Sequence, residues 1–258
     1  MGLYAVISDI HGPWEDKRAV DLFVGVCVDL RVSHLIINGD LFDFYNLNSH
    51  GPKDPEIQTT LDDEYEWGLE FFQMLQDKLP WVKIIFIYGN HEDRLNRFVI
   101  KNCPAFTNRL KLENHLELDK RGIEYYLYNQ RYRVEDTDLF VQHSPPSYSE
   151  NAANTSLKKK IDQDHIWGCT HRTDRVVKTG SSGKVYESFM LGWFGDKKII
   201  QHNQREMPEV NRVYKFTKNH ETWNCSFCLV SAYKGQHDVQ QVVVKNYRCT
   251  IGSKVYQG

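Results

Sequence analysis

The chain of 258 residues has no apolar run approaching the roughly 18 residues that a membrane helix needs, so no spanning segment is expected. Charge of one sign is also missing. Lys and Arg number 32 against 34 Asp and Glu, and the resulting formal charge of -2 argues against a nucleic-acid coat or a polybasic membrane binder. No basic leader and no small-residue cleavage site precede the first apolar segment, and the expected location is the cytoplasm. Cysteine is sparse: of six, only Cys225-Ser226-Phe227-Cys228 forms a CxxC, and no second pair completes a zinc or disulfide framework. Reduced thiols fit that pattern. Internal repeats and low-complexity linkers are absent too. A length of 258 and 41% hydrophobic residues allow one full core, and residues 1–258 are expected to form one domain.

What is present is unevenly spread. Residues 54–70 are strongly acidic and the last third leans basic, which makes either solvated faces of opposite sign or a basic rim that steers an anionic substrate. The first hundred residues alternate between strand and helix. The runs LYAVIS, HLIIN and VKIIFIY read as buried strands. Between them, Ala19, Phe23, Cys27 and Leu30 recur at helical spacing, as do Leu61, Tyr65, Leu69 and Phe72, with Pro80 ending the second helix. A loop rich in Asn, Gly and Pro covers Asn46 to Pro55, and a third helix follows Asn90. This order predicts a largely parallel sheet with right-handed crossovers. Beyond Gly122 short β-rich runs dominate, with one helical stretch from Glu150 to Ile161, and these predict a second, more antiparallel sheet packed on the first.

Metal-binding side chains collect at the ends of these runs: Asp9-Ile10-His11, Gly39-Asp40, Gly89-Asn90-His91-Glu92, His143 and Gly168-Cys169-Thr170-His171. Side chains at the carboxyl ends of parallel strands converge on one crevice. In an extended segment Asp9 and His11 would share a face and thus one ion. Asp40 offers a carboxylate that can bridge two cations, Asn90 a neutral oxygen, and His91 a proton beside them. Two cations about 3.5–4 Å apart are the usual clamp for phosphoryl transfer to water.

As a set, DxH, GDxxD, GNHE, a later His and GxTH resemble the calcineurin-like metallophosphoesterase superfamily, over Asp9 to His171. The resemblance implies an α/β fold of two packed mixed β-sheets flanked by helices, a four-layer sandwich, with residues 172–258 as its β-rich C-terminal part. It implies a pair of divalent cations, manganese first and iron, zinc or nickel as alternatives. Asp9, His11, Asp40 and His171 would hold the first, and Asp40, Asn90, His143 and Cys169 the second. Asp43, the second acid of GDxxD, would orient His91, which would protonate the leaving oxygen or stabilise the transition state. The implied reaction is hydrolysis of a phosphate ester by metal-activated hydroxide. Arg94, one helical turn past Asn90, would grip a substrate oxygen, or else pair with Asp93 or Glu92 on the helix surface.

The pattern departs from the family at Cys169, where a histidine is usual. Three accounts stand: thiolate ligation, which favours softer metals, substitution by His165, or a weak second site. Phe44 replaces the arginine that follows GDxxD in Ser/Thr protein phosphatases, which disfavours that branch. GNHEDRLNRF, Asn102-Cys103-Pro104 and Thr170-His171-Arg172 resemble phosphoesterases of bacteria and their phages. The aromatic, basic last third favours a phosphodiesterase or nuclease acting on nucleotides or nucleic acid. A phosphomonoesterase and a non-catalytic scaffold of the same fold are the alternatives. Tyr148 and Trp193 are candidates to stack on a base, with core packing the default for Trp193. His34, His115, His202, His220 and His237 read as surface or core filler, His50 as a cleft residue or filler, and Gly180 to Lys184 as a hairpin turn.

Overall fold

The three runs read as buried strands form the middle of a six-stranded sheet. β1 (Gly2–Ile7), β2 (His34–Asn38) and β3 (Lys83–Ile87) lie side by side in parallel, buried on both faces apart from their first turns of chain. The computed structural model describes residues 2–47, 59–159, 163–196 and 222–258. β4 (Glu124–Tyr126) adds to β3 in parallel, and β10 (Cys225–Tyr233) and β11 (Gln236–Val244) add antiparallel on the β1 side. The second sheet runs β5-β6-β7-β9-β8, from β5 (Tyr132–Arg133), β6 (Leu139–Gln142), β7 (Asp164–Trp167), β8 (Asp174–Thr179) and β9 (Val185–Met190). A C-terminal hairpin, β12 (Arg248–Ile251) and β13 (Lys254–Gln257), lies against the first helix through Lys254 and Asp29.

Alternation along β1 builds two cores. Tyr4 and Val6, with Ile36 and Ile85 of the same sheet, face the second sheet, where Val141, Ile166 and Phe189 meet them. Ala5 and Ile7 face the helices on the other side. Those helices are the crossovers α1 (Lys17–Asp29), α2 (Leu61–Lys78), α3 (Asn90–Asn102) and the short α4 (Leu112–His115). Asp16 caps α1 by accepting from the Ala19 N–H, and Thr60 and Asp63 form a capping box on α2. On the outer face of the second sheet, α5 (Ala152–Lys159) packs Ala152 and Ala153 against Trp167 and Met190. The layers are helices, sheet, sheet, helix.

Two sequence expectations change. The β-rich part does not all enter the second sheet, because β4, β10 and β11 join the first. The second sheet is evenly mixed rather than mainly antiparallel: β6, β7 and β9 are parallel neighbours and only the outer pairs are antiparallel. Local pattern gives a strand's burial but not its neighbour. The Gly180 turn does close a hairpin between β8 and β9, with the Gly180 N–H on Lys184 O at 2.8 Å. His50, His202, His220, most of the Asn46 to Pro55 loop and the expected end of the last helix at Ile161 lie outside the described residues. Among the described residues no helix is long and apolar enough to cross a membrane.

Candidate metal centre

Each donor sits just past a strand. Asp9 and His11 follow β1, Asp40 follows β2, Asn90 follows β3, His143 follows β6, and Cys169 and His171 follow β7. The backbone there is not extended, as the DxH reading assumed. Asp9 (φ 56°), His11 (56°), Asp40 (49°), Cys169 (66°) and His171 (58°) are all left-handed. For residues with a Cβ this conformation costs roughly 1–2 kcal/mol each. Neighbouring segments hold it in place. The Asp9 N–H donates to Gly39 O at 3.0 Å, the His11 N–H to Asp40 O at 3.0 Å, and the Phe194 N–H to Asp9 O at 2.8 Å. The Cys169 N–H donates to the Asp9 carboxylate at 3.0 and 3.1 Å. Two glycines allow the loops to approach. A Cβ at Gly89 would overlap the Asp40 carboxylate, and one at Gly168 would overlap the Ser8 hydroxyl.

The side chains form two clusters that share Asp40. In the first, ligand atoms of Asp9, His11, Asp40 and His171 all lie within 4.8 Å of one another. His11 Nε2 and His171 Nε2 face each other at 3.2 Å, and His171 Nε2 is 3.1 Å from Asp9 Oδ1. In the second, Asp40, His143 and Cys169 meet the same limit. Asn90 Oδ1 joins them, 3.2 Å from His143 Nε2 and 2.9 Å from Cys169 Sγ. His143 Nε2 is 3.2 Å from Asp40 Oδ2. His143 Nδ1 donates to Asn38 O at 2.7 Å, which turns Nε2 toward Asp40 and Asn90.

These donors fit cations. Separations near 3.2 Å are those of ligands sharing one ion at about 2.0–2.2 Å. Two imidazole nitrogens that converge on each other beside buried carboxylates are the donor set of a borderline divalent cation. Burial pushes the Asp40 carboxyl up, yet the charges of His143 and His91 hold it well below the usual carboxylate range. Burial likewise works against ionised Asp9, and the His171 hydrogen bond holds it low. Burial disfavours charge on His143 too, but Asp40 lifts it well above the usual imidazole value.

Beside the clusters lies a third group. His91 Nδ1 donates to Asp43 O at 2.7 Å and is 3.2 Å from Asp43 Oδ1. Asp43 also stands 3.7 Å from His11 Nδ1, so it contacts two histidines where one was expected. Burial raises the Asp43 carboxyl, but hydrogen bonds from His11 and His91 draw it far below the carboxylate range. Burial lowers His91. Arg94 makes neither of the helix-surface pairs considered for it. Its Nη2 donates to His91 Nε2 at 2.7 Å and its Nη1 to Asp43 O at 3.2 Å, while Asp93 pairs with Arg97 at 2.9 Å.

Sequence reasoning missed Glu92. Its buried carboxylate accepts from the N–H groups of Asp40 (3.0 Å), Phe42 (3.0 Å) and Gly89 (2.6 Å), tying the β2 and β3 loops together. Burial and the Asp40 charge push it up to about 7. Its signal was its place at the third position of α3, where a glutamate reaches back over the helix start. Glu64 does the same for the Phe44 N–H at 2.7 Å, and burial pushes it up to about 8. Trp193 is buried and stacks on His171 at 5.6 Å, and Trp223 meets His171 edge-on at 4.2 Å. Tyr148 is exposed. His165 stays out of the second cluster, stacked on Trp167 at 4.6 Å, because β7 ends before Cys169. His34, His115 and His237 pack on Tyr4, Tyr65 and Asp164. Among the described residues Cys225 and Cys228 join no metal-binding group.

A search of curated proteins finds no match. Among solved structures the chain resembles Vps29 from Chaetomium thermophilum, at 12% identity and a TM-score of 0.45 over 95% of this chain and 87% of that one. It resembles a dimetal phosphatase from Danio rerio at 11% identity and 0.45, over 93% and 95%. A third is YfcE, a phosphoesterase from E. coli, at 16% identity and 0.38, over 94% and 100%. The profile of one family, described as calcineurin-like phosphoesterase, matches residues 3–172, a stretch that contains every donor named above. With that match over most of its length, the chain belongs to the calcineurin-like phosphoesterase family.

Proposed function

We propose that the chain is a phosphoesterase with two divalent cations, and that Asp9, His11, Asp40 and His171 hold one while Asp40, Asn90, His143 and Cys169 hold the other. The carrying observation is the Asp40 carboxylate shared by two clusters, with His91 and Arg94 directly beside it. When bound, such a cation pair acidifies water and neutralises phosphoryl oxygens. The chain's own groups do the rest. Asn90 supplies oxygen without adding charge. Asp43 fixes the His91 ring through Nδ1, which directs Nε2 toward the crevice. There the ring in its imidazolium form, favoured by the neighbouring Asp40 and Asp43 carboxylates, would pass the Nε2 proton to the leaving oxygen. A phosphoryl oxygen would draw the Arg94 guanidinium off His91 Nε2 and free that nitrogen to take up the proton it then passes on. This group also favours catalysis over a scaffold of the same fold, which needs no such arrangement.

Within this reading, a phosphodiester of a nucleotide or nucleic acid is the preferred substrate and a phosphomonoester the second. Support comes from the rim: exposed Tyr148, Arg172 donating to Tyr148 O at 3.3 Å, and Trp223 against His171. Both sheets contribute donors, which supports reading residues 1–258 as one domain. Cysteines that form no disulfide among the described residues suit the cytoplasm. With Mn²⁺ supplied, the protein is expected to hydrolyse bis-p-nitrophenyl phosphate faster than p-nitrophenyl phosphate. Turnover of the monoester alone would overturn the diester preference. Inactivity on both with Mn, Fe, Zn and Ni each supplied would leave the scaffold.

A further inference from the structure

The two cation subsites differ by one atom. The first draws only carboxylate oxygen and imidazole nitrogen, from Asp9, Asp40, His11 and His171. The second includes the sulfur of Cys169. We infer that this sulfur makes the subsites unequal, so that the second selects a thiophilic cation such as Zn²⁺ or Co²⁺ while the first accepts Mn²⁺. The inference rests on the two-cation reading above and adds which ion goes where.

The sulfur is held in position. Cys169 Sγ lies 2.9 Å from Asn90 Oδ1, and its backbone is fixed from both sides. Its N–H is on the Asp9 carboxylate, and the preceding Gly168 N–H is on His143 O at 2.9 Å. The left-handed backbone at φ 66° turns the side chain back over the second cluster instead of along β7. The imidazole considered as its substitute is committed elsewhere, since His165 stacks between Phe140 and Trp167 at 5.7 and 4.6 Å. Among the described residues, His143 alone gives nitrogen to this cluster, so Asn90, Asp40 and the thiol complete the donors.

Donor chemistry then sorts the ions. Thiolate sulfur prefers zinc and its softer neighbours, whereas carboxylate, carbonyl and water suit manganese and magnesium. A thiol that ligates a divalent cation gives up its proton outright. The second subsite therefore carries one more negative charge than a histidine in that position would give it. The charge strengthens binding of any dication there, while the sulfur favours zinc over manganese and does not act on the first subsite. The remaining cysteines, Cys27, Cys103, Cys225, Cys228 and Cys249, belong to neither cluster, which lets a sulfur signal be assigned.

The test loads the full chain with Co²⁺ and counts bound ions by native mass spectrometry while recording the near-ultraviolet spectrum. Two bound cobalt ions with a sulfur-to-cobalt charge-transfer band are expected. Cys169→Ser should lose the band, and Cys169→His should bind two ions without it, with circular dichroism confirming that both variants fold. In mixtures of Mn²⁺ and Zn²⁺ the wild type should retain one zinc ion at an Mn²⁺ excess that strips zinc from Cys169→His, since any nitrogen and oxygen site favours zinc and only the sulfur adds to that preference. Two cobalt ions with no band, or a band that survives in Cys169→Ser, would overturn the inference and leave the cation pair standing. Failure to bind any cobalt would remove the cation pair as well.

Discussion

At the scale of single residues, the proposed reaction gives His91 and Arg94 two duties that kinetics separates. His91→Ala should lower kcat by roughly 10²–10⁴ and leave both cations bound, since no contact of His91 is needed to hold them. Arg94→Ala should instead raise KM, because the guanidinium's proposed work is to meet the phosphoryl group. Steady-state rates with metal analysis check both. Glu64 carries a pH signature. Burial raises its carboxyl from 4.5 to about 8, so the folded chain holds that proton more tightly than the unfolded one. The stability it contributes is complete below pH 4.5 and is lost as pH rises toward 8. Thermal unfolding of Glu64→Gln should show a flatter decline across that window than the wild type does. Residue types explain what the sequence disclosed. Asp9, His11, Asp40 and His171 stood out because their chemistry has few other uses at strand ends. Glu92 and Glu64 did not, since an acid in the first turn of a helix ordinarily serves the helix dipole.

At the scale of elements, the β2 and β3 loops behave as one unit bound by Glu92. Removing that carboxylate in Glu92→Ala leaves three buried N–H groups unpaired, at about 1–3 kcal/mol for each such group. The variant should lose cations and melt earlier. Gly89→Ala should lose cations too, as its Cβ would occupy the space of the Asp40 carboxylate, and calorimetry of Mn²⁺ binding reads this directly. The three parallel strands and their crossover helices were legible because burial on both faces leaves an unbroken apolar run. The pairing of β10 with β1 was not, since the two strands are far apart in sequence and no turn fixes their register. The left-handed donor loops escaped for a related reason. Asp, His and Cys carry no mark of positive φ, which is imposed by hydrogen bonds from other segments.

At the scale of the molecule, the centre joins the two sheets, with Asp9, Asp40 and Asn90 on one and His143, Cys169 and His171 on the other. Cations bound there should stabilise the whole fold by about 2.7 kcal/mol at a hundredfold excess over Kd. Chelation should therefore lower the melting temperature, and added Zn²⁺ or Mn²⁺ should restore it. A melting temperature indifferent to chelator would show that no cation bridges the sheets. The five left-handed donors set the opposite pressure. Glycine relieves such a backbone at Asp9, His11, Asp40, Cys169 or His171 and removes a proposed ligand in the same step. A mutant library selected for heat resistance without added cations would drift toward glycine at these positions. Selection for turnover would hold all five in place.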